Sequence, residues 1–365
     1  MDSIYCYDPT AVDPLSKVRG VGRYLQILKE CFKKDWIFTD DLRLPAQAGI
    51  AADSIFINPF FNFLKYPLTM GRIAKKQIAV IHDLIPLKYP DHFPAGIKGK
   101  LNIFLNKLAL KNYNLIVTDS EASKSDIVTM FKVDENRVKV VYPTLPNVFT
   151  KNTQIAQKKT DIADSAKSVL QSVGSASFAL YVGDATWNKN LVNLAKAIKI
   201  LNVICVFVGK VFEETPKNAN KEHGKTQNDS WQKELKEFYV ETKNDKRFIF
   251  LGYVPDDKLI QLYQQARCNI LISRDEGFGF SYLEAASQDC PSVLSDIQVL
   301  HETSKNQGAL FANPNDANDI ANAIGEVYFN KDLRDRLGAE AEKRAEYFSH
   351  KKFVANFLKI LNLNN

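Results

Sequence analysis

Short apolar runs alternate with amphipathic helical segments along almost the whole chain. The first apolar runs are SIYCY, SIFIN, QIAVIHD, NLIVTDS and RVKVVYP, and helical spacing occurs at 24–32 and 124–131. Runs of this length that end in loops and lead into helices are typical of βα units. Residues 1–150 are therefore predicted to form a parallel sheet with helices on both faces.

The alternation stops near the middle of the chain and then begins again. Residues 151–176 are polar and lack strand-like runs, so we predict a linker region there. The second set of runs is FALYVGD, VICVFVGK, RFIFLGYV, CNILISR, PSVLSD and GALFANP, with helices at 191–201 and 256–265. A second doubly wound α/β domain is predicted over 177–347, and an amphipathic helix over about 348–365.

Composition and charge exclude several classes of protein. The 365 residues are too many for one comfortable core, and 45% hydrophobic with 25% charged residues is typical of a soluble globular protein. No run of about 18 apolar residues occurs, and the first ten residues do not resemble a signal peptide. The five cysteines are far apart and form no C-x-x-C pair, which predicts reduced thiols in a cytoplasmic protein.

Positive charge is concentrated in residues 61–112, among many apolar residues. From Ile97 to Ala109 the apolar residues follow helical spacing. Lysines occupy positions outside this apolar face of the predicted helix: Lys98, Lys100, Lys107 and Lys111. One interpretation is a helix with its apolar face in the core and its lysines in solvent. The other is that these lysines, helped by Lys65, Lys75 and Lys76, hold the protein against an anionic membrane. No recognised nucleic-acid-binding module accompanies the segment.

The first candidate ligand-binding residues follow the strands of the N-terminal half, at the edge where such sheets bind ligands. KVRGVGRYL places Gly20 and Gly22 at a helix start, where backbone amides can approach a phosphate. Leu25 replaces the third glycine of G-x-G-x-x-G, so a plain tight turn explains the motif about as well. His82 closes AVIHD beside an acid, and we expect it to face a cleft, although a lone histidine is more often structural.

The motif YVGDATWNKN supplies a second candidate in the C-terminal half. Gly183 ends a strand and Lys189 stands where a helix opens. A lysine there opposes the positive end of the helix dipole, so an anion between the two would explain its position. A phosphate contact is therefore favoured over a solvated surface lysine.

Two carboxylates and two glycines surround a predicted helix start in SRDEGFGFSYLEAA. Gly277 and Gly279 leave the backbone free to fold over a ligand, and the helix points its amides at it. Glu276 and Glu284 are eight residues apart, at most about 12 Å if all were helical, which is comparable to the distance from a hexose across a diphosphate to a ribose. The simpler interpretation makes Glu276 a dipole partner and Glu284 a surface acid, but it leaves the glycines unexplained.

Together these motifs resemble retaining glycosyltransferase family 4. EGFGFSYLEAASQDCPSVLSD is similar to the E-x7-E region of that family. RGVGRY, IHDLIPL, VTDSEASKSDI, YVGDATWNKN, LGYVPDDKLIQLYQQA and RAEYFSHKKF occur in the family's order, so the resemblance covers nearly the whole chain. It implies the GT-B fold, an α/β architecture of two Rossmann-like doubly wound domains facing across a cleft, with the C-terminal helix crossing back to the N-terminal domain.

The resemblance also implies roles for individual residues. Glu276 would contact the donor hexose, Glu284 the nucleotide ribose, and Lys189 the diphosphate, while His82 would line the donor sugar site. The implied catalytic residues are His82 and Glu276, and the implied donor-binding residues are Gly20, Gly22, Gly183, Lys189, Gly277, Phe278, Gly279, Phe280 and Glu284.

Two positions depart from the family pattern, and one common metal motif is missing. Asn188 stands where many relatives have Arg or His, which puts one phosphate-binding cation in doubt. Asp289 stands where many have Gly, at the end of a helix. No D-x-D triplet occurs in the sequence. We therefore predict no metal and no cofactor, with Lys189 and helix N-termini taking the place of a metal.

The predicted function is transfer of a hexose from a nucleotide-diphosphate sugar to a glycan or lipid-linked glycan acceptor, with retention of configuration. Similarity to bacterial surface-polysaccharide members favours GDP-mannose over UDP- or dTDP-sugars. A sugar-nucleotide epimerase of the same fold and a catalytically silent nucleotide-sugar-binding module are the alternatives. We expect a cytoplasmic enzyme, with the inner face of an anionic membrane as a second possible location and without a nucleic-acid partner.

Overall fold

The protein divides into two compact units. The computed structural model describes residues 3–11, 20–43, 54–150, 177–213 and 230–361. Unit 1 comprises Met1–Pro90, Pro94–Asn147 and Phe348–Asn365, and unit 2 comprises Asp91–Phe93 and Val148–Tyr347. The linker predicted at 151–176 lies outside the described residues.

Unit 1 is built on a six-stranded parallel sheet. Its strands are β1 (Ser3–Tyr7), β2 (Ile37–Thr39), β3 (Ser54–Asn58), β4 (Lys76–Val80), β5 (Leu115–Thr118) and β6 (Val138–Val140), in the order β2-β1-β3-β4-β5-β6. Its first helices are α1 (Gly20–Phe32), α2 (Ile85–Lys88), α3 (Gly96–Ala109) and α4 (Glu121–Phe131). Strands β3 and β5 are buried along their whole length, as expected for parallel strands covered on both faces.

Unit 2 repeats this architecture. Its strands are β7 (Phe178–Val182), β8 (Ile204–Val208), β9 (Phe248–Gly252), β10 (Cys268–Leu271), β11 (Ser292–Ser295) and β12 (Ala309–Ala312), all parallel, in the order β12-β11-β10-β7-β8-β9. Its helices are α5 (Leu191–Leu201), α6 (Ser230–Thr242), α7 (Asp256–Gln265), α8 (Phe280–Ala286), α9 (Gln298–Ser304), α10 (Ala317–Phe329) and α11 (Lys331–Ala345). The predicted pair of Rossmann-like doubly wound sheets is confirmed.

The final helix, α12 (His350–Leu361), belongs to unit 1. Phe357 is buried with its ring 5.8 Å from that of Phe32, at the end of α1. The ammonium group of Lys76 donates hydrogen bonds to the carbonyl oxygens of Ile360 and Leu361, 3.1 and 2.7 Å away, and so caps the end of α12. The prediction that the last helix returns to the first domain is confirmed.

Helix α3 is turned the opposite way from the simpler sequence-based interpretation. Its buried residues are Gly99, Asn102, Asn106 and Ala109. Asn102 donates a side-chain hydrogen bond of 2.9 Å to the Leu64 carbonyl oxygen, and Asn106 donates one of 2.7 Å to that of Lys65. The apolar residues Ile97, Leu101, Phe104 and Leu108 are exposed. The interpretation that the apolar face of this helix is core is therefore wrong for these four residues, because two buried amides hold the other face in place. Ala109, at the end of the predicted face, is buried.

Candidate functional site

In unit 2 the strand order reverses between β7 and β10. Chain segments that follow β7 run toward β8 and β9, whereas those that follow β10 run toward β11 and β12. The carboxyl edge at such a reversal leaves a crevice, which is where open α/β sheets bind ligands. Gly183 and Lys189 follow β7, and Glu276 and Gly279 follow β10, so the sequence-predicted residues of unit 2 lie on the two segments that meet there.

Lys189 and Glu276 form an ion pair in this crevice. The Nζ atom of Lys189 is 2.6 Å from Oε1 of Glu276, and the Ser273 hydroxyl donates to the same oxygen at 2.6 Å. The exposed fractions of the two charged side chains are 20% and 9%. The Lys189 ammonium is mostly shielded from water, and the Glu276 carboxylate is held in place by Lys189 and by the Ser273 hydroxyl. A fixed cation and a fixed carboxylate side by side suit a ligand that carries both negative charge and hydroxyl groups.

Asn188 fixes the segment that carries Lys189. Its buried side chain donates a hydrogen bond of 3.1 Å to the Asp275 carbonyl oxygen and accepts one of 2.8 Å from the Thr186 hydroxyl. This departure from the family pattern therefore ties the two loops of the crevice together. It does not supply a cation.

Arg274 supplies a cation near this position instead. Its guanidinium lies 4.9 Å from the centre of the Trp187 ring and donates a hydrogen bond of 2.9 Å to Glu234 on α6. It also donates to the Trp187 carbonyl oxygen. Helix α6 lies in a segment where the sequence indicates no chemistry, yet it positions a charge beside the crevice.

The turn Gly277 to Phe280 delivers the chain into helix α8. Gly279 precedes the helix with φ of 96°, a left-handed conformation, and a Cβ atom there would lie 2.8 Å from Cδ2 of Leu300. Because the N-cap residue is Gly279, no N-cap side chain bonds the first amides of α8. Phe278 is buried and its carbonyl oxygen accepts a hydrogen bond of 2.6 Å from Thr303, which anchors the turn. The left-handed conformation is therefore the reason that glycine is favoured here.

Glu284 is buried within α8, so the surface-acid interpretation is wrong. Its Oε2 atom accepts a hydrogen bond of 3.1 Å from the Tyr263 hydroxyl on α7. Asp289, after the helix, has φ of 59°. The backbone there is left-handed, which favours the glycine of many relatives and is tolerated by Asp. The Asp289 departure thus costs local conformational energy at a helix end.

Gly183 is fixed by its own strand. The Tyr181 hydroxyl donates a hydrogen bond of 2.6 Å to the Asp184 carbonyl oxygen, and a Cβ atom at position 183 would lie 2.8 Å from that hydroxyl. A side chain at Gly183 would displace the Tyr181 ring, which is buried under the crevice. The structure thus gives Gly183 a packing role, and its predicted donor contact stays a prediction.

In unit 1, three adjacent strands place His82, Asp119 and Pro59 at one sheet edge. These residues follow β4, β5 and β3, which are neighbours. Nδ1 of His82 is 2.7 Å from the Asp119 carboxylate, and Nε2 is 3.1 Å from the Pro59 carbonyl oxygen. Because both partners accept hydrogen bonds, this arrangement suits the doubly protonated imidazolium.

Two buried polar atoms belong to side chains that contact His82 and lack a partner within the part of the chain that the structure describes. The Tyr24 ring of α1 lies 4.7 Å from the His82 ring, edge to face. Among the described residues, the buried Tyr24 hydroxyl and the Asp119 Oδ1 atom have no hydrogen-bond partner. Buried polar atoms in this state are rare and mark places where a ligand or water can bind. Gly20 and Gly22 lie in the first turn of the same helix, and their predicted phosphate contact stays a prediction.

The pKa of His82 is raised in the folded protein. Burial alone would lower it, but the charge and hydrogen bond of Asp119 outweigh burial. The unfolded value is about 6.5, so the stabilisation is complete below about pH 6.5 and is lost as the pH rises through the raised folded pKa.

We therefore expect His82→Asn to lower the free energy of unfolding most at acidic pH and progressively less as the pH rises. Denaturant unfolding of both proteins from acidic to alkaline pH measures the difference. A destabilisation that grows with pH would contradict a cationic His82.

Sequence reasoning missed several residues of these clusters. Asp119 lies in the motif VTDSEASKSDI directly after a strand, the same signal that identified His82. Ser273 begins the motif that contains Glu276, and Tyr263 belongs to LGYVPDDKLIQLYQQA. The partners of Asp119 and Tyr263 lie 37 and 21 positions away in the chain, so only the folded structure pairs them. Ser273 lies 3 positions from Glu276, in the same motif.

Comparison with known proteins identifies the domain that contains the Lys189–Glu276 pair. Residues 164–344 match the model of the glycosyl transferases group 1 family. The chain contains a glycosyltransferase group 1 domain.

Within the described residues, no cluster of three His, Cys, Asp or Glu side chains is placed to hold a metal ion. Metal independence of this group 1 domain stays a prediction.

Two relatives are mannosyltransferases. The O-antigen chain mannosyltransferase RfbU of Salmonella typhimurium is 26% identical over 292 residues, covering 78% of this chain and 70% of that protein. O-antigen chain mannosyltransferase B of Escherichia coli is 27% identical over 281 residues, covering 75% and 67%. This chain is thus similar to two O-antigen chain mannosyltransferases.

A solved structure shows the same fold. The Anabaena protein Alr3699/HepE, in complex with UDP-glucose, superposes with a TM-score of 0.73 over 100% of both chains at 15% identity. At this identity the likeness shows the fold alone. The two six-stranded sheets, with the group 1 domain in the second, have the GT-B fold.

Proposed function

We propose that this protein is a retaining hexosyltransferase that uses a nucleotide-diphosphate sugar. The observation that carries the proposal is the Lys189–Glu276 pair, 2.6 Å long, at the strand-order reversal of the group 1 domain. A diphosphate and a hexose are the neighbouring groups that such a cation and carboxylate would bind. The mannosyltransferase relatives support GDP-mannose as donor and a glycan or lipid-linked glycan as acceptor.

The residues of this chain fit the chemistry of the reaction. Breaking the bond between sugar and diphosphate develops negative charge on the leaving phosphate, which Lys189 and the uncapped amides of α8 stabilise. Glu276 accepts hydrogen bonds from hexose hydroxyls, and Glu284 accepts them from the ribose. In unit 1, Asp119 accepts a hydrogen bond from a sugar hydroxyl through Oδ1 and holds the His82 imidazolium through Oδ2. The acceptor hydroxyl attacks the anomeric carbon from the face that the diphosphate leaves: the new glycosidic bond forms as the bond to the diphosphate oxygen breaks, and the hydroxyl proton passes to that departing oxygen. Attack from this face retains configuration without a protein nucleophile.

A donor screen tests the proposal. Thermal shift with GDP-mannose, UDP-glucose and dTDP-rhamnose should identify one stabilising donor, because a ligand at about a hundred times its Kd stabilises by about 2.7 kcal/mol. Incubation of that donor with an acceptor glycan should then release nucleoside diphosphate. Conversion of the donor without acceptor would indicate an epimerase, and binding without turnover a silent binding module.

Activity is expected to be largely intact after removal of divalent metal by EDTA. The physical reason is that Lys189 and the first amides of α8 would neutralise the diphosphate, and the sequence has no D-x-D triplet to hold a metal. Turnover before and after chelation measures the effect. A strict requirement for Mg²⁺ or Mn²⁺ would contradict this assignment.

A further inference from the structure

Helix α3 exposes an apolar stripe, formed by Ile97, Leu101, Phe104 and Leu108. Their exposed fractions are 92, 56, 58 and 38%. They are three or four residues apart, so they lie along one side of the helix. The opposite side is fixed in unit 1 by the Asn102 and Asn106 amides. A contiguous apolar surface of this kind marks an interaction site.

Lysines flank the apolar stripe on both sides. At about 100° per residue, Lys100 and Lys107 lie along one flank and Lys98 along the other, and Lys111 lies in the 3-10 turn that follows the helix. All four are exposed, and the Lys107 ammonium also lies 5.5 Å from the centre of the Phe131 ring. No acidic residue occurs between Asp91 and Asp119. The helix therefore presents apolar side chains between exposed lysines, without an acid in the same stretch of sequence.

We propose that α3 binds unit 1 peripherally to an anionic lipid bilayer. The apolar stripe enters the boundary between headgroups and acyl chains, and the flanking lysines contact lipid phosphates, as in other interfacial amphipathic helices. Each lysine near an anionic leaflet contributes about 1 kcal/mol, which is about fivefold in binding. Of the other predicted contributors, Lys76 is already bonded to the end of α12, whereas Lys65 and Lys75 are exposed.

The charge pattern favours a bilayer over a second copy of the chain. Pairing of two α3 helices through the apolar stripe would bring the flanking lysines of one copy close to those of the other. The helix itself has no acid to offset that repulsion. A bilayer that contains anionic lipid offers negative charge along the whole helix. Within the described residues, no helix is long and apolar enough to cross a membrane. The proposal is independent of the donor that the enzyme uses.

Vesicle co-sedimentation of the full chain tests the charge contribution. Binding to phosphatidylcholine vesicles should rise as phosphatidylglycerol is added and fall as NaCl is added, because salt screens the attraction. Changing Lys98, Lys100, Lys107 and Lys111 together to Gln should weaken binding at least about tenfold. The matched control removes the same charge from unit 2, by changing the exposed lysines Lys233, Lys243, Lys246 and Lys305 to Gln, and should bind nearly as wild type.

A second pair of variants tests the apolar stripe. Leu101→Ser with Phe104→Ser should weaken vesicle binding at least about tenfold at constant phosphatidylglycerol, because each buried methylene adds to membrane affinity. Phe329→Ser, on α10, removes a side chain that is 68% exposed and should have little effect. The melting temperature should change little in both, since the side chains are exposed. The fluorescence that Phe104→Trp adds to that of the three native tryptophans should be quenched by brominated lipid, whereas the fluorescence that Phe329→Trp adds should not.

Two outcomes would overturn the proposal. The first is that the wild-type protein does not bind anionic vesicles, or that it binds them and neither the lysine variant nor the serine variant weakens the binding. The other is a dimer, measured by light scattering, that Leu101→Ser with Phe104→Ser converts to monomer while lipid binding is unchanged. In that case the apolar stripe is a protein interface. Neither outcome would alter donor turnover in solution, so a failure here is distinguishable from a failure of the proposed function.

Discussion

Glu276→Gln is expected to lower hexose transfer at least about tenfold while the protein stays folded. The substitution replaces a charged acceptor with a neutral one at the oxygen that Lys189 and Ser273 both bond. If Glu276 acts on the hexose, the loss should appear in turnover, and binding of the free nucleoside diphosphate should change little. Steady-state kinetics and thermal shift with the nucleoside diphosphate separate these two effects.

The chain offers a matched control for this substitution. Lys199 and Glu241 form an ion pair of 2.7 Å in unit 2, with both side chains about one-third exposed. Glu241→Gln should leave transfer near the wild-type rate, because an exposed ion pair contributes little to stability and this one lies away from the crevice segments. Near-wild-type turnover of Glu276→Gln would remove Glu276 from the site.

The fold was predictable because its signal is local. Alternating apolar runs and helical segments predicted two parallel sheets, and the structure confirms both. Strand β2 was missed because it has three residues, none of them buried, at the edge of the sheet. Helical spacing in α3 identified the residues that share a face but not which face is buried. That choice depends on the Asn102 and Asn106 amides and on carbonyl groups about 40 residues earlier in the chain.

The candidate site was predictable only as separate motifs. Lys189 and Glu276 are 87 residues apart in the chain, and their contact requires β7 and β10 to be neighbours although two strands lie between them in sequence. Sequence order favours pairing of consecutive strands and therefore does not indicate this contact. The same limit applies to His82 and Asp119, whose pairing depends on β4 lying beside β5.

Lys189→Ala is expected to weaken nucleoside diphosphate binding about tenfold to a hundredfold and nucleoside binding less than about twofold. A hydrogen bond to a charged group contributes about 1.5–3 kcal/mol, and the lost ammonium matters only to the phosphates. Isothermal titration with both ligands measures the ratio. Lys199→Ala, which breaks the exposed Lys199–Glu241 pair, should leave both affinities unchanged. Equal losses for the two ligands would indicate a packing role for Lys189.

The same variant should also be less stable, which makes a double-mutant cycle informative. Lys189→Ala leaves the nearly buried Glu276 carboxylate without its cation, and removal of one partner of such a pair costs about 3 kcal/mol. Lys189→Ala combined with Glu276→Gln removes the unpaired charge and should recover part of that stability. It should not recover diphosphate affinity, because the cation is still missing. Recovery of both properties together would mean that Lys189 affects binding only through the fold.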